Sequence, residues 1–152
     1  EGEPAIELEA AAWRALDSEG AHFPDDNAGY FVSDPSWLDG SYVLDQKALF
    51  EALLEGIEAG APADRLALDF HVAVARSSAR IASEICVHEG IDTVALSGGV
   101  FMNRFIIEHA LAALQDEGFT VAVNRELPPN DGCISYGQAV IACAQDEITR
   151  NE

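Results

Sequence analysis

A short apolar run, Asp92-Thr93-Val94-Ala95-Leu96, passes through Ser97 into two glycines, Gly98 and Gly99, and then into Val100-Phe101-Met102-Asn103-Arg104, where the pattern turns amphipathic. A strand that enters a helix through Gly-Gly can hardly belong to anything but an α/β unit. The helix pattern runs over about 101–117 and closes at Gly118, and a second apolar run follows at Phe119-Thr120-Val121-Ala122-Val123. Strand, helix and strand in that order predict parallel neighbours joined by a right-handed crossover. The near-continuous apolarity of 92–96 predicts a buried strand. A second polar corner, Pro128-Pro129-Asn130-Asp131-Gly132, then leads into a final helix over 131–145. Both corners fall at the carboxyl ends of adjacent parallel strands, the edge where α/β sheets bind ligands.

Upstream the pattern is mostly helical. Glu3-Pro4 opens a helix carrying Ile6, Leu8, Ala11, Ala12 and Ala15, with Gly20 as its stop and Glu1, Glu3, Glu7 and Glu9 as a solvated face. Residues 29–33 and 41–44 read as strands around the turn-rich segment 34–40, so a small β-hairpin is expected as an insertion. Asp45 is placed to cap a helix over 46–59, which Gly60-Ala61-Pro62 breaks. The longest helical pattern, 63–89, sets Leu66, Phe70, Val74, Ile81 and Ile85 at helical spacing and stops at Gly90. Repeats, low-complexity tracts and linkers do not interrupt the chain. Its 152 residues are therefore expected to form one α/β domain or one lobe of a domain, with a parallel or mixed sheet flanked by helices.

Charge narrows the partners. Eight Lys and Arg face 27 Asp and Glu, a formal net charge of −19. Such a surface disfavours nucleic acid and anionic membranes, which need a basic footprint. A small phosphate ligand remains compatible through backbone amides, with a divalent cation beside it. Cys86, Cys133 and Cys143 are odd in number and lack Cys-x-x-Cys spacing, which argues against a disulfide framework or zinc knuckle and fits a reducing cytoplasm. No apolar run reaches the roughly 18 residues of a membrane span. His22, His71, His88 and His109 have no zinc-site spacing; His71 reads as packed and hydrogen-bonded, His88 and His109 as solvated helix positions. Cys133 reads as a small buried residue, and Trp13, Trp37 and Tyr136 as packing aromatics.

The two corners carry the chemistry. At Ser97-Gly98-Gly99-Val100, glycine lets a base, ribose or phosphate lie against the peptide plane, and the helix start offers free amides. Asn103, one turn on, offers a side-chain amide to a ligand or caps the helix. No Gly-Lys-Ser/Thr follows, so this is not a P-loop. At the second corner Asn130 or Asp131 caps the next helix, or Asp131 supplies a hard carboxylate to a cation.

The stretch from Val94 to Arg104, followed by Leu127-Pro128-Pro129-Asn130-Asp131-Gly132-Cys133-Ile134-Ser135-Tyr136-Gly137-Gln138-Ala139, resembles the HypF-type carbamoyltransferases of nickel–iron hydrogenase maturation. The opening Glu1-Gly2-Glu3-Pro4-Ala5-Ile6-Glu7-Leu8-Glu9 and the Phe70-His71 pair resemble that family too. A bare Gly-Gly-Val also suits tRNA threonylcarbamoyl transferases and O-carbamoyltransferases, but the Val-Phe-x-Asn-Arg and Pro-Pro-Asn-Asp-Gly wording favours HypF.

The resemblance implies the C-terminal lobe of an actin/Hsp70-like ATPase fold, cut from a longer polypeptide with acylphosphatase, zinc-finger and YrdC-like segments upstream. It implies that the whole protein makes a carbamoyl adenylate from carbamoyl phosphate and ATP and passes the carbamoyl group to the C-terminal cysteine of HypE, where dehydration yields the cyanide ligand of the hydrogenase iron. On that reading Ser97, Gly98, Gly99, Val100 and Asn103 line the site for ATP or carbamoyl adenylate, and Asp131 is this lobe's ligand to a divalent metal ion. The family's metal-binding histidines belong to the preceding lobe, so this chain contributes no catalytic residue and is expected to be inactive alone. The rival readings are a non-catalytic interaction module of the same fold and a lobe of a tRNA-modifying transferase, which the acidic surface disfavours.

Overall fold

The computed structural model describes residues 2–18 and 36–151. In chain order it comprises α1 (Glu3–Ser18), β1 (Ser36–Leu38), β2 (Ser41–Val43), α2 (Gln46–Glu58), α3 (Ala63–Glu89), β3 (Thr93–Leu96), a 3₁₀ turn (Gly99–Met102), α4 (Arg104–Asp116), β4 (Thr120–Val123), a second 3₁₀ turn (Asp131–Cys133) and α5 (Ile134–Asn151). The expected strand over 29–33, the Gly20 stop and His22 lie outside the described residues.

Helix α3 is the spine. Its most buried face is the small-residue one, Ala67, Leu68, Val72, Ala75 and Ala79, whereas Leu66, Phe70, Val74 and Ile81 are half-buried and Ile85 is exposed. The sequence pattern pointed to the larger residues. Alanine wins the centre because two helices must approach α3 closely, and bulky residues then fit only on the flanks. Ala11, Ala12, Ala15 and Leu16 of α1 and Phe105 of α4 complete one core cluster, with Trp13 packed against it. The expected core residues Ile6 and Leu8 of α1 are exposed. Arg14 ties α1 to α3 through a two-pronged contact with Asp64, at 3.0 and 2.7 Å.

A second cluster gathers Ala79, Leu96, Ala110 and Leu114, flanked by Val94, Val121 and Val123. Here β3 and β4 pair in parallel, Thr93 opposite Thr120 through Leu96 opposite Val123. The predicted crossover unit is therefore present. The strands alternate, with Val94, Leu96, Val121 and Val123 turned toward α4 while Thr93, Ala95, Thr120 and Ala122 are exposed. The expectation of a strand buried throughout thus fails, because among the described residues this sheet has two strands and only one covered face.

The hairpin forms, one segment later than expected: β1 is Ser36–Leu38, inside the stretch read as a turn. Asp39 and Gly40 both have positive φ, 50° and 82°. Such a two-residue turn fixes the register at Trp37 opposite Tyr42 and places the first strand immediately before it. Trp37 stacks on His88 at 6.1 Å but is 60% exposed, and Tyr136 is exposed as well, so neither is the packing aromatic expected.

Asp45 caps α2 as predicted, accepting from the Lys47 and Ala48 amides. α5 has no comparable seat. From Ile134 to Asp146 every residue but Gly137 is exposed, and the helix packs mainly on the 3₁₀ turn that precedes it.

Candidate functional site

The two polar corners meet. The Gly98 amide donates to the Pro129 carbonyl at 2.7 Å, and the Asn130 side-chain nitrogen donates to Met102 Sδ at 2.8 Å. A Cβ on Gly99 would stand 4.0 Å from that of Asn130, so the glycine main chain faces the second corner across ordinary contact distance. Gly98 adopts φ 106° and ψ 162°, a region that side-chain-bearing residues avoid, which is the physical reason for glycine there. Ser97, Gly99, Val100 and Asp131 are exposed; Gly98 and Asn103 are half-buried.

Which amides remain for a ligand differs from the sequence expectation. The Gly98 amide is taken by Pro129. The start of α4 is closed as well: Glu9 Oε1 accepts from the Arg104 amide at 2.8 Å and from Phe105 at 3.4 Å, and Asn103 Oδ1 accepts from Ile106 at 2.9 Å. Glu9 is thus a capping carboxylate rather than part of a solvated face, set where the helix dipole favours negative charge. The amides of Gly99 and Val100, at the head of the 3₁₀ turn, carry no hydrogen bond among the described residues. They are open main-chain donors at the turn. At the second corner it is Asn130 that caps, its Oδ1 accepting from the Gly132 amide at 3.0 Å. That leaves the Asp131 carboxylate exposed, with no hydrogen bond to it among the described residues.

Comparison with known proteins gives this geometry a context. Residues 1–138 match the family model for the Kae1-like domain, second subdomain, of carbamoyltransferases. The chain belongs to the HypF carbamoyltransferase family. It is 31% identical over 138 residues to carbamoyltransferase HypF of Synechocystis, and 36% identical over 148 residues to a HypF homolog of Cupriavidus necator. Those alignments cover 91% and 95% of this chain but 16% and 35% of the relatives, so the chain spans about a third of their length or less. A full-length HypF crystallised in a phosphate- and nucleotide-bound form superposes over 93% of this chain and 17% of its own, with TM-score 0.76 at 32% identity. The HypF of T. kodakarensis gives 0.70 over the same share of both chains.

Within this HypF-family chain two readings of single residues change, those of His109 and Cys133. His109 is not solvated: it is 6% exposed, its Nδ1 donates to the Phe105 carbonyl at 2.8 Å and its ring stacks on Phe105 at 3.9 Å. Burial holds its pKa below the usual histidine value. Cys133 is half-buried in the 3₁₀ turn, while Cys86 is buried and Cys143 exposed. Asn103 caps α4, one of its two expected roles, and also reaches the His71 ring, Nδ2 to Nε2 at 3.0 Å, so it links α4 to α3.

Asp131 stands apart from any cluster of metal-ligating side chains. Among the described residues no group of three or more His, Cys, Asp or Glu side chains could hold a metal ion. A shallow apolar groove of about 460 Å³ runs along α5, lined by Tyr136, Ala139, Val140, Cys143 and Ala144. None of the corner residues lines it. What the sequence missed was Glu9 and the Pro129 carbonyl, partners fixed by tertiary contact, for which residue type alone carries no signal.

Proposed function

We propose that this chain is the nucleotide-facing C-terminal lobe of a carbamoyltransferase with an actin/Hsp70-like fold. ATP or carbamoyl adenylate lies against Ser97, Gly98, Gly99 and Val100, with the free Gly99 and Val100 amides as donors and Asn103 at the edge. Asp131 is this lobe's ligand to a divalent cation, whose role is to neutralise nucleotide phosphates. An exposed, unbonded carboxylate suits a hard cation, and the remaining ligands come from phosphate oxygens, water and the preceding lobe. In the intact protein, with that lobe and a YrdC-like domain, the carbamoyl group goes to the C-terminal cysteine of HypE during nickel–iron hydrogenase maturation in the cytoplasm. The relatives are named carbamoyltransferases, and a structurally similar full-length HypF was crystallised in a phosphate- and nucleotide-bound form.

The observation that carries this reading is the 2.7 Å bond from Gly98 to Pro129, which joins the corner for the nucleotide to the corner bearing Asp131. Titration calorimetry with ATP and Mg²⁺ tests it, on this chain alone and on a protein extended toward the preceding lobe. Tight, metal-dependent binding is expected in the extended protein only; no binding in either leaves a non-catalytic interaction module. Asp131→Ala in the extended protein is expected to weaken the metal-dependent part of the affinity about tenfold or more. Its melting temperature should stay unchanged, since among the described residues the Asp131 side chain makes no hydrogen bond; unfolding would show a structural cap instead.

A further inference from the structure

We infer that His71 is a positioning residue for the nucleotide corner, acting through the side chain of Asn103. The inference rests on the reading of that corner as a nucleotide site.

His71 is 2% exposed, on the face of α3 that meets α4. Its two nitrogens have opposite roles. Nδ1 lies 2.8 Å from the Ala67 carbonyl, and a carbonyl only accepts, so Nδ1 carries the hydrogen. In the neutral ring Nε2 is then a lone pair, and Asn103 Nδ2 donates to it at 3.0 Å. The orientation of the Asn103 amide is fixed independently from the other end, because Oδ1 accepts from the Ile106 amide. The result is one chain with one direction: Ile106 N–H to Asn103 Oδ1, Asn103 Nδ2–H to His71 Nε2, His71 Nδ1–H to the Ala67 carbonyl. Phe105, edge-on at 5.5 Å, and Phe70 at 5.7 Å wall the ring in place.

An asparagine amide has two N–H donors and two oxygen lone pairs. One of each is consumed by this chain, so one donor and one acceptor are left on a group that can neither flip nor swing. That pair matches a ribose hydroxyl or a base edge, each of which offers both functions. Without the ring, Asn103 would still reach the Ile106 amide, but its nitrogen would be unheld.

The test uses the intact protein, with Mg²⁺-ATP as probe. His71→Gln keeps an acceptor near the Nε2 position; His71→Leu removes it at similar volume. His71→Leu is expected to weaken ATP binding about tenfold, with His71→Gln restoring most of the loss. In an Asn103→Ala background His71→Leu should change the affinity no further. Hydrogen exchange of the peptide spanning 103–107, without nucleotide, should accelerate in His71→Leu and not in His71→Gln. A folded His71→Leu protein with wild-type affinity overturns the inference, and so do losses that add in the double variant. If the wild-type protein binds no ATP, the nucleotide reading falls, and the exchange measurement then decides positioning alone: unchanged exchange at 103–107 in His71→Leu overturns it.

Discussion

Adjacent glycines at the turn do different work. Gly98 stands at φ 106°, where any Cβ is strained, whereas Gly99 has ordinary φ and open space to 4.0 Å. Gly98→Ala should therefore lower stability by about 1–3 kcal/mol in chemical denaturation. Gly99→Ala should shift it by less than about 1 kcal/mol yet weaken ATP binding by the intact protein, because the added methyl projects into the gap between the two corners, toward Asn130. Unaltered affinity in Gly99→Ala would place the ligand elsewhere. A few residues away, His109 makes stability depend on pH. Its folded pKa is depressed from the ordinary 6.5, by burial first and with help from the Arg76 charge, which together outweigh the Phe105 carbonyl and Glu108. The unfolded chain takes up the proton more readily, so this contribution is present above about pH 6.5 and is lost as pH falls below it. His109→Gln should flatten the acid limb of the stability profile below about pH 6.5; an unchanged slope would assign the effect to another group.

Among the elements, α3 and α5 are opposites. α3 touches both core clusters, while α5 is held by little beyond its own entry turn. Amide exchange along Ile134–Asp146 should accordingly be complete well before that of the buried turns of α3 in the isolated chain, and equal protection in the two would contradict the exposure described. The same contrast explains what was legible in the sequence. The helices, β3 and β4 could be read because their periodicity or apolar runs are local properties, and the Asp45 cap because it acts within its own turn. The core face of α3 was misread because small residues become central only when neighbours arrive. The hairpin strand was displaced because a two-residue Asp39-Gly40 turn outweighs a longer polar stretch. At the candidate site, the glycines open the turn after β3 and Asp131 opens the turn before α5, positions that local spacing in the sequence marks. The consumption of the Gly98 amide by Pro129 and of the α4 amides by Glu9 depends on residues distant in sequence, which spacing alone does not reveal.

For the molecule as a whole, the dominant long-range term is its charge of −19. Like charges on a compact body repel, and added salt screens them within a Debye length. Raising NaCl from about 50 mM to about 500 mM should raise the melting temperature of the chain by about 5 °C; a fall would mean that specific ion pairs such as Arg14–Asp64 matter more than the net field. Among the described residues no helix is long and apolar enough to cross a membrane. The bond between Gly98 and Pro129 has a mechanical corollary. Two loops that might have breathed independently share a pin, so an ångström of displacement imposed on one is handed to the other without passing through the hydrophobic interior.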